Sequence, residues 1–321
     1  MHFDPCGLSL AGCGVSVLDA LALVVGKQIY AKFISKEDIM PQKRKIRFTL
    51  TGRPTMEGAG VHLNRVFGFN EVPKLDPFLL LDDFRSDNPE HYIKGFPWHP
   101  HRGIETITYV LKGDVEHGDS LGNKGVISSG DVQWMTAGGG IIHQEMPKGD
   151  AQGVMYGFQL WANLPASQKM MPPRYNGITS NQIPEAVLEN GVCIKVIAGN
   201  VGSTRGPVGD IVIDPEYFDC TVPDGETFTH RADAEYTAFI YVIGGRGEAD
   251  GAMADDGTLV VFDKGDQLSV RAIGDPMRFL LLTGKPLKEP VAWGGPIVMN
   301  TQAELDLAFR EYREGTFVKH P

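Results

Sequence analysis

Tyr109-Val110-Leu111-Lys112-Gly113 returns 132 residues later as Tyr241-Val242-Ile243-Gly244-Gly245. Each copy is an aromatic and aliphatic run that reaches a glycine, which is typical of a strand followed by a turn. A Gly-Asp turn follows each copy, beginning at Gly130 after the first and at Gly265 after the second. A motif repeated at this distance predicts a duplicated β-barrel.

Short β-rich runs broken by turn residues continue on both sides of the two copies. The 39 glycines and 21 prolines among the 321 residues are spread along the chain, as in sandwiches and barrels. We therefore predict an all-β protein. The predicted strands cover residues 61–67, 78–81, 106–111, 115–117, 126–127, 132–135, 156–162, 192–198, 211–214, 237–243, 258–262, 267–271 and 278–283.

One short helix is predicted near the C-terminus. Thr301 and Glu304 have the spacing of a capping box, and Gly315 supplies a stop. Leu305 and Phe309 fall on one face between these two signals. We expect this helix to pack against a barrel.

The domain limits follow from changes in pattern along the chain. Residues 181–190 carry no strong period and contain a proline, which places a junction there. The prediction is an N-terminal domain at 46–180 and a C-terminal domain at 181–321. Residues 1–45 are expected to be a disordered extension or a mis-assigned start, with a targeting segment as the alternative. The basic run at 43–45 fits a nuclear address less well than a solvated tail.

Bulk composition limits the partners. The formal net charge of −10 argues against direct nucleic-acid binding, which depends on Lys and Arg at phosphates, and it favours protein partners. The apolar stretch at 7–25 contains Asp19 and several glycines, so no membrane segment is expected. Four cysteines without a C-x-x-C pair indicate a reducing compartment. We expect a cytoplasmic protein, also nuclear if the source is eukaryotic.

Two pairs of residues at i, i+2 spacing carry the chemistry. His99 and His101 flank Pro100, and His143 and Glu145 repeat the spacing further along. On an extended segment, residues two apart point the same way, so each pair can face one cavity. Two such pairs on facing strands of a barrel would converge on one ion.

The donor set predicts which metals fit. Three imidazoles and a carboxylate suit iron, manganese, nickel or copper, and also zinc. Four protein ligands leave about two positions open on an octahedral ion, as non-heme iron oxygenases require. A structural zinc site is usually closed and often contains cysteine, and no cysteine lies near these residues in sequence.

Weaker candidates surround the two pairs. Glu105 is an even number of residues from His99 and His101, so on a continuous strand it would point the same way. It could be a ligand or lie just behind one. His117 is more simply a turn residue, and Arg102 either steers an anionic substrate or pairs with an acid. Pocket or core positions are predicted for Met135, Phe158 and Trp161.

Two longer segments resemble the pirin family, a branch of the cupins. They are Phe96-Pro-Trp-His-Pro-His-Arg-Gly-Ile-Glu-Thr-Ile-Thr-Tyr-Val-Leu and Gly130-Asp-Val-Gln-Trp-Met-Thr-Ala-Gly-Gly-Gly-Ile-Ile-His-Gln-Glu-Met-Pro. The similarity covers roughly residues 46–321. It implies a bicupin, two tandem antiparallel jelly-roll barrels, with one metal in the first barrel.

The resemblance also implies which residues bind the metal, usually iron. It carries over His99, His101, His143 and Glu145 as ligands. The general cupin pattern would instead use the glutamate that follows H-x-H, which is Glu105 here.

The second barrel departs from the ligand pattern. A shift of 132 residues places Arg231, Asp233 and Asp275 opposite the three histidines, and the nearby His230 has no counterpart. The resemblance therefore implies a metal-free, structural second barrel.

The resemblance implies two classes of function. One is a quercetin 2,3-dioxygenase, which opens the ring of a flavonol or similar small aromatic substrate with dioxygen; Glu145 would be the general base. The other is an iron-dependent redox sensor that regulates transcription factors or other protein partners without turnover. Open metal positions favour the enzyme.

Overall fold

The computed structural model describes residues 22–25, 28–31, 41–211 and 213–320. The chain divides into two compact units, Met1–Gln42 and Lys43–Pro321. In the first unit, β1 (Ala22–Val25) and β2 (Gln28–Ala31) form an antiparallel pair. The predicted disorder of residues 1–45 falls largely outside the described residues. No helix in the described part of the chain is long and apolar enough to span a membrane.

The second unit contains twenty-six strands and a helix among its described residues. They are β3 (Ile46–Thr51), β4 (Arg53–Glu57), β5 (Val61–Phe67), β6 (Phe78–Asp83), β7 (Phe96–His101), β8 (Ile104–Lys112), β9 (Asp114–Asp119), β10 (Lys124–Ile127), β11 (Val132–Thr136), β12 (Ile141–Lys148), β13 (Tyr156–Asn163), β14 (Arg174–Ile178), β15 (Glu185–Val187), β16 (Cys193–Ala198), β17 (Asn200–Val201), β18 (Thr204–Arg205), β19 (Glu216–Val222), β20 (Thr227–Arg231), β21 (Thr237–Gly244), β22 (Arg246–Ala249), β23 (Ala252–Asp255), β24 (Thr258–Phe262), β25 (Gln267–Ala272), β26 (Met277–Gly284), β27 (Ala292–Gly294), β28 (Ile297–Met299) and α1 (Gln302–Arg313).

The strands build two antiparallel barrels, each from a four-stranded and a seven-stranded sheet. The first barrel has the orders β10-β9-β12-β7 and β14-β11-β8-β13-β6-β5-β4. The second has β20-β25-β22-β23 and β15-β16-β19-β26-β21-β24-β3. The predicted all-β class with two tandem barrels is confirmed.

The larger core lies between the two seven-stranded sheets. Ile107 and Leu160 of the first barrel share a buried cluster with Phe239 and Leu282 of the second. Because side chains alternate along a strand, the neighbours of these residues point into the barrels instead. Thr108 is one such neighbour, and it faces the interior of the first barrel.

Each end of the second unit crosses to the other barrel. β3, the strand that precedes the first barrel, pairs with β24 in the second barrel's sheet. At the other end, Ile297 of β28 bridges to Arg102 of the first barrel, and the Val298 amide donates to the Arg102 carbonyl at 3.0 Å. The domain limits at 46–180 and 181–321 stay a prediction.

Two local predictions were wrong. Of the predicted strand at 211–214, Ile211, Ile213 and Asp214 lie outside any strand, and the remaining residue falls outside the described ones. Asp214 has a φ of 45°, which a strand does not accommodate. Arg44, predicted to be solvated, is 3% exposed because its guanidinium donates to three backbone carbonyls of the second barrel.

The helix prediction is confirmed residue by residue. Thr301 is the N-cap of α1 and forms the capping box with Glu304. Gly315 follows the helix with a φ of 73°, the left-handed conformation that ends helices. Leu305 and Ala308 are its buried residues, and α1 packs on β27 and β28.

Candidate metal centre

The four predicted ligands lie on two neighbouring strands. β7 is the edge strand of its sheet and pairs with β12, with His99 directly opposite His143. An edge strand tolerates proline, which lacks a backbone N–H, so Pro97 and Pro100 fit here. The prediction of facing strands was wrong: the two pairs meet side by side.

A β-bulge adjusts the second pair. The register between β7 and β12 shifts after His143, so that Glu145 lies opposite Phe96. Burial alternates along β12, and His143 and Glu145 are both on its buried face. The i, i+2 spacing therefore points both side chains into the barrel, as predicted.

The three histidines form a cluster that could hold a metal ion. One ring nitrogen from each of His99, His101 and His143 lies within 4.8 Å of the others. His101 and His143 are buried, and His99 is half-buried. Among the described residues, this is the cluster of metal-binding side chains that the structure brings together.

Backbone carbonyls fix the tautomers of two of these rings. His99 Nδ1 lies 2.9 Å from the Pro97 oxygen, and His101 Nδ1 lies 3.1 Å from the Pro296 oxygen. A carbonyl oxygen only accepts hydrogen bonds, so each Nδ1 carries the proton and each Nε2 carries a lone pair. The two Nε2 atoms lie 3.0 Å apart. Two lone pairs at this distance repel each other unless a cation lies beside both.

His143 completes the case for a cation. Neither of its ring nitrogens has a hydrogen-bond partner, although both are buried. Burial lowers the pKa of His99, and it holds the pKa values of His101 and His143 well below the ordinary histidine value. The neighbouring imidazoles add to this effect at His101 and His143. The cluster thus disfavours protons and keeps its nitrogens available to a metal.

Glu145 lies beside the histidines. Its Oε2 is 3.8 Å from His143 Nε2, and its Oε1 accepts a hydrogen bond from Thr108 Oγ1 at 3.1 Å. Burial raises the pKa of Glu145 to about 7, while the Thr108 hydrogen bond acts in the opposite direction. Three neutral imidazoles and one carboxylate form a donor set that fits a first-row transition metal.

Glu105 lies away from the cluster. It accepts hydrogen bonds from Trp134 Nε1 at 3.1 Å and from Thr136 Oγ1 at 2.7 Å, on the opposite face of its sheet from Thr108. Glu105 does not point the same way as His99 and His101 because the chain turns at Gly103, between β7 and β8, with a φ of 78°. A Cβ on Gly103 would lie 2.0 Å from the Val298 oxygen, so only glycine fits this turn.

The other weaker candidates now have positions. His117 is in β9 rather than in a turn, directly opposite Glu145, and its Nε2 is 2.9 Å from Gln133 Nε2. Arg102 is buried and pairs with Glu311 at 2.7 Å, which is the predicted alternative of pairing with an acid. Trp161 packs its ring 5.1 Å from that of His101. Two candidates are wholly buried core residues, Met135 and Phe158.

A cavity of about 570 Å³ opens beside the cluster. His99, His101 and Glu145 line it. Its walls are mostly apolar, with side chains that include Leu63, Leu80, Phe84, Phe96, Val115, Trp161 and Trp293. A cavity of this size and composition is typical of small-molecule sites.

A row of polar residues crosses the sheet that faces the cluster. Arg65, Asp82, Gln159 and Thr108 are successive cross-strand partners on β5, β6, β13 and β8, and all four line the cavity. Arg65 Nη2 is 2.8 Å from Asp82 Oδ2. Sequence reasoning missed this row, although polar residues inside otherwise apolar strands were its signal.

The pirin and C-terminal pirin cupin family models match residues 60–162 and 217–318. A pirin-like protein of Caulobacter vibrioides is 43% identical over 85% of this chain and 99% of its own length. A Pseudomonas aeruginosa protein, provisionally named a quercetin 2,3-dioxygenase, is 41% identical over 86% of this chain and 99% of its own.

Solved structures with pirin or quercetin dioxygenase names are also similar to this chain. The crystal structure of a quercetin 2,3-dioxygenase from Acinetobacter baumannii has a TM-score of 0.79 at 32% identity, covering 86% of this chain and 98% of that one. The Escherichia coli pirin YhhW, crystallised in complex with nickel(II), has a TM-score of 0.57 at 25% identity, covering 74% and 98%. With both family models and a relative of this identity and coverage matched, the chain belongs to the pirin family.

Proposed function

We propose that this protein is a metal-dependent dioxygenase that opens the ring of a small aromatic substrate such as the flavonol quercetin. Its metal ligands are His99, His101, His143 and Glu145. One observation carries the proposal: the unprotonated Nε2 atoms of His99 and His101 converge at 3.0 Å at the wall of a substrate-sized cavity.

The metal, when bound, supplies a Lewis acid that lowers the pKa of a substrate hydroxyl. The protein does the remaining work with its own groups. Pro97 and Pro296 hold the imidazole tautomers through their carbonyl oxygens. Glu145 lies buried at the cavity wall, and its proposed role is to accept the substrate's hydroxyl proton.

The cavity walls select the shape of the substrate. Trp161 and Trp293 lie with ring centroids 5.9 Å apart at one side, and Phe69 extends the aromatic surface to the exterior. Flat apolar side chains favour a flat ring packed against them. The polar row from Arg65 to Thr108 offers hydrogen bonds to ring hydroxyls.

The relatives support the substrate class and leave several metals open. The Pseudomonas relative and the Acinetobacter structure bear the quercetin dioxygenase name, and the Escherichia coli pirin holds nickel(II). We propose iron as the resident metal, with manganese, nickel, copper or zinc as alternatives that the same donor set accepts.

Oxygen consumption with quercetin tests the proposal. Protein reconstituted with Fe(II) should consume oxygen, and His101→Ala, prepared in parallel, should neither retain the metal nor turn over. Thr283→Val, a buried substitution in the second barrel, is the matched control and should keep both.

The alternative is an iron-dependent redox sensor that acts on protein partners. It would use the same ligands but has no need of a substrate cavity, and the cavity therefore favours the enzyme. Stoichiometric iron without oxygen consumption on any flavonol would replace the first proposal with this one. The cytoplasmic or nuclear location of such a sensor also stays a prediction.

A further inference from the structure

Thr108 links the candidate metal centre to the substrate cavity. Its Oγ1 lies 3.1 Å from Glu145 Oε1 and 2.7 Å from Gln159 Oε1. Thr108 is 2% exposed, and Gln159 lines the cavity as its cross-strand partner. The three side chains form one chain of contacts, Gln159–Thr108–Glu145, inside the first barrel.

Donor counting gives this chain a direction. A threonine hydroxyl carries one proton, so it can donate to only one of two acceptors. A carboxylate that binds a metal has no proton of its own and is an acceptor only. Thr108 must then donate to Glu145, and its oxygen can only accept. The Gln159 amide is then turned end for end, with its nitrogen in the position where Oε1 lies 2.7 Å from Thr108 Oγ1.

The contact also selects which carboxylate oxygen is free. Thr108 holds Oε1, whereas Oε2 is the oxygen recorded 3.8 Å from His143 Nε2. With one oxygen held, the carboxylate cannot rotate freely, and Oε2 stays directed toward the histidines. Groups behind a metal ligand act in this way when they fix its orientation.

We propose that Thr108 and Gln159 are positioning residues for Glu145. They present its Oε2 to the metal and thereby set metal affinity. When Glu145 binds the metal, the amide nitrogen of Gln159 faces Thr108. The amide oxygen of Gln159 is then turned toward the cavity, where it can accept from a substrate hydroxyl. The inference rests on the proposed function, because it takes Glu145 as a metal ligand.

The second barrel provides a matched control. Thr283 Oγ1 donates to Glu216 Oε2 at 2.9 Å, and Thr283 is completely buried. It is a threonine that holds a glutamate in a barrel with no candidate metal cluster among its described residues. Thr283→Val therefore removes the same kind of hydrogen bond without touching Glu145.

The test is titration with Co(II), followed by its visible absorption bands and by competition with a chelator. Thr108→Val should bind Co(II) about 10- to 100-fold more weakly, the usual effect of losing a group behind a metal ligand. Thr108→Ser, which keeps the hydroxyl, should restore the affinity and the absorption bands. Thr283→Val should bind as the unaltered protein does.

A second variant guards against a folding defect in Thr108→Val. Gln159→Leu removes only the outer group of the chain and should weaken binding in the same direction. Unchanged Co(II) affinity and absorption bands in Thr108→Val and Gln159→Leu would overturn the inference and leave the proposed metal site intact. Failure of the unaltered protein to bind Co(II) would overturn the proposed function and the inference together.

Discussion

Tyr109 and Tyr241, which occupy equivalent positions in the two copies of the repeated motif, donate reciprocally across the barrel interface. Tyr109 Oη donates to Asp219 Oδ2 at 2.7 Å, and Tyr241 Oη donates to Asp83 Oδ2 at 2.8 Å. An arginine of the same barrel holds each aspartate: Arg278 for Asp219 and Arg85 for Asp83. The duplication that identifies the fold in sequence thus also builds the interface.

Loss of either tyrosine hydroxyl should destabilise the protein. Tyr241→Phe is expected to lower the free energy of unfolding by about 1.5–3 kcal/mol, because the lost hydrogen bond is buried and has a charged acceptor. Urea unfolding measures the change. Tyr236→Phe is the control: its hydroxyl bonds Asp214 at an exposed site, and a change within about 0.5 kcal/mol is expected. Equal losses in both variants would contradict the role given to the interface.

The repeat could be recognised in the sequence because its strand and turn pattern lies within short segments. The exchange of chain ends could not be predicted from the sequence, since the pairing of β3 with β24 joins residues about two hundred positions apart. Nothing local in Ile46–Thr51 distinguishes a strand of one barrel from a strand of the other. The strand predicted at 211–214 was wrong for a local reason. Its β-branched residues favour a strand, but the backbone turns at Asp214.

A buried lysine connects the first barrel to the C-terminal segment. Lys169 Nζ donates to the Gly103 oxygen at 2.9 Å, Asn163 Oδ1 at 2.7 Å and the Val298 oxygen at 3.0 Å. Lys169→Met leaves these acceptors unpaired and should lower the free energy of unfolding by about 3 kcal/mol.

The exposed Lys264, which pairs with Glu235, is the control for that substitution. Lys264→Met should change the free energy of unfolding by no more than about 1 kcal/mol, because exposed ion pairs contribute little. A Lys169→Met protein as stable as this control would show that the buried contacts do not hold the segment.

Glu105 and Glu145 offer a direct comparison, since both are buried glutamates of the first barrel. Glu145→Gln should weaken Co(II) binding by at least about 10- to 100-fold, because it replaces the proposed charged ligand. Glu105→Gln should bind Co(II) normally, although the lost contacts with Trp134 and Thr136 should lower its melting temperature. Loss of metal in the Glu105 variant alone would reinstate the general cupin ligand pattern.

This pair of glutamates marks the limit of reasoning from spacing. The i, i+2 rule places His99 with His101 and His143 with Glu145 because each pair lies within one strand. It fails for Glu105 because Gly103 turns the chain before β8 begins. Pro296, whose oxygen holds His101, lies 195 residues away, and no local pattern connects the two.

Metal binding should depend on pH through Glu145. Burial raises the pKa of this carboxyl to about 7, so at pH 6 most of the metal-free protein carries a proton there, and a metal must displace it. Affinity should therefore rise with pH up to about 7 and then level off with respect to this group.

Calorimetry in buffers of different ionisation heat measures the displaced proton. Co(II) binding should release close to one proton from Glu145 at pH 6 and almost none from it at pH 8.5. Glu145→Gln, which has no proton to lose at this position, should release correspondingly fewer at pH 6. An identical proton count in both proteins would place the titrating group elsewhere.

We propose that His99, His101, His143 and Glu145 together hold one metal ion at the wall of the cavity. Anomalous diffraction at the iron absorption edge, from crystals of protein reconstituted with Fe(II), tests it most directly. We expect one peak per chain, about 2.0–2.2 Å from a nitrogen of each of His99, His101 and His143 and from Glu145 Oε2. A chain without a peak there, or a peak bonded to Glu105 in place of Glu145, would contradict it.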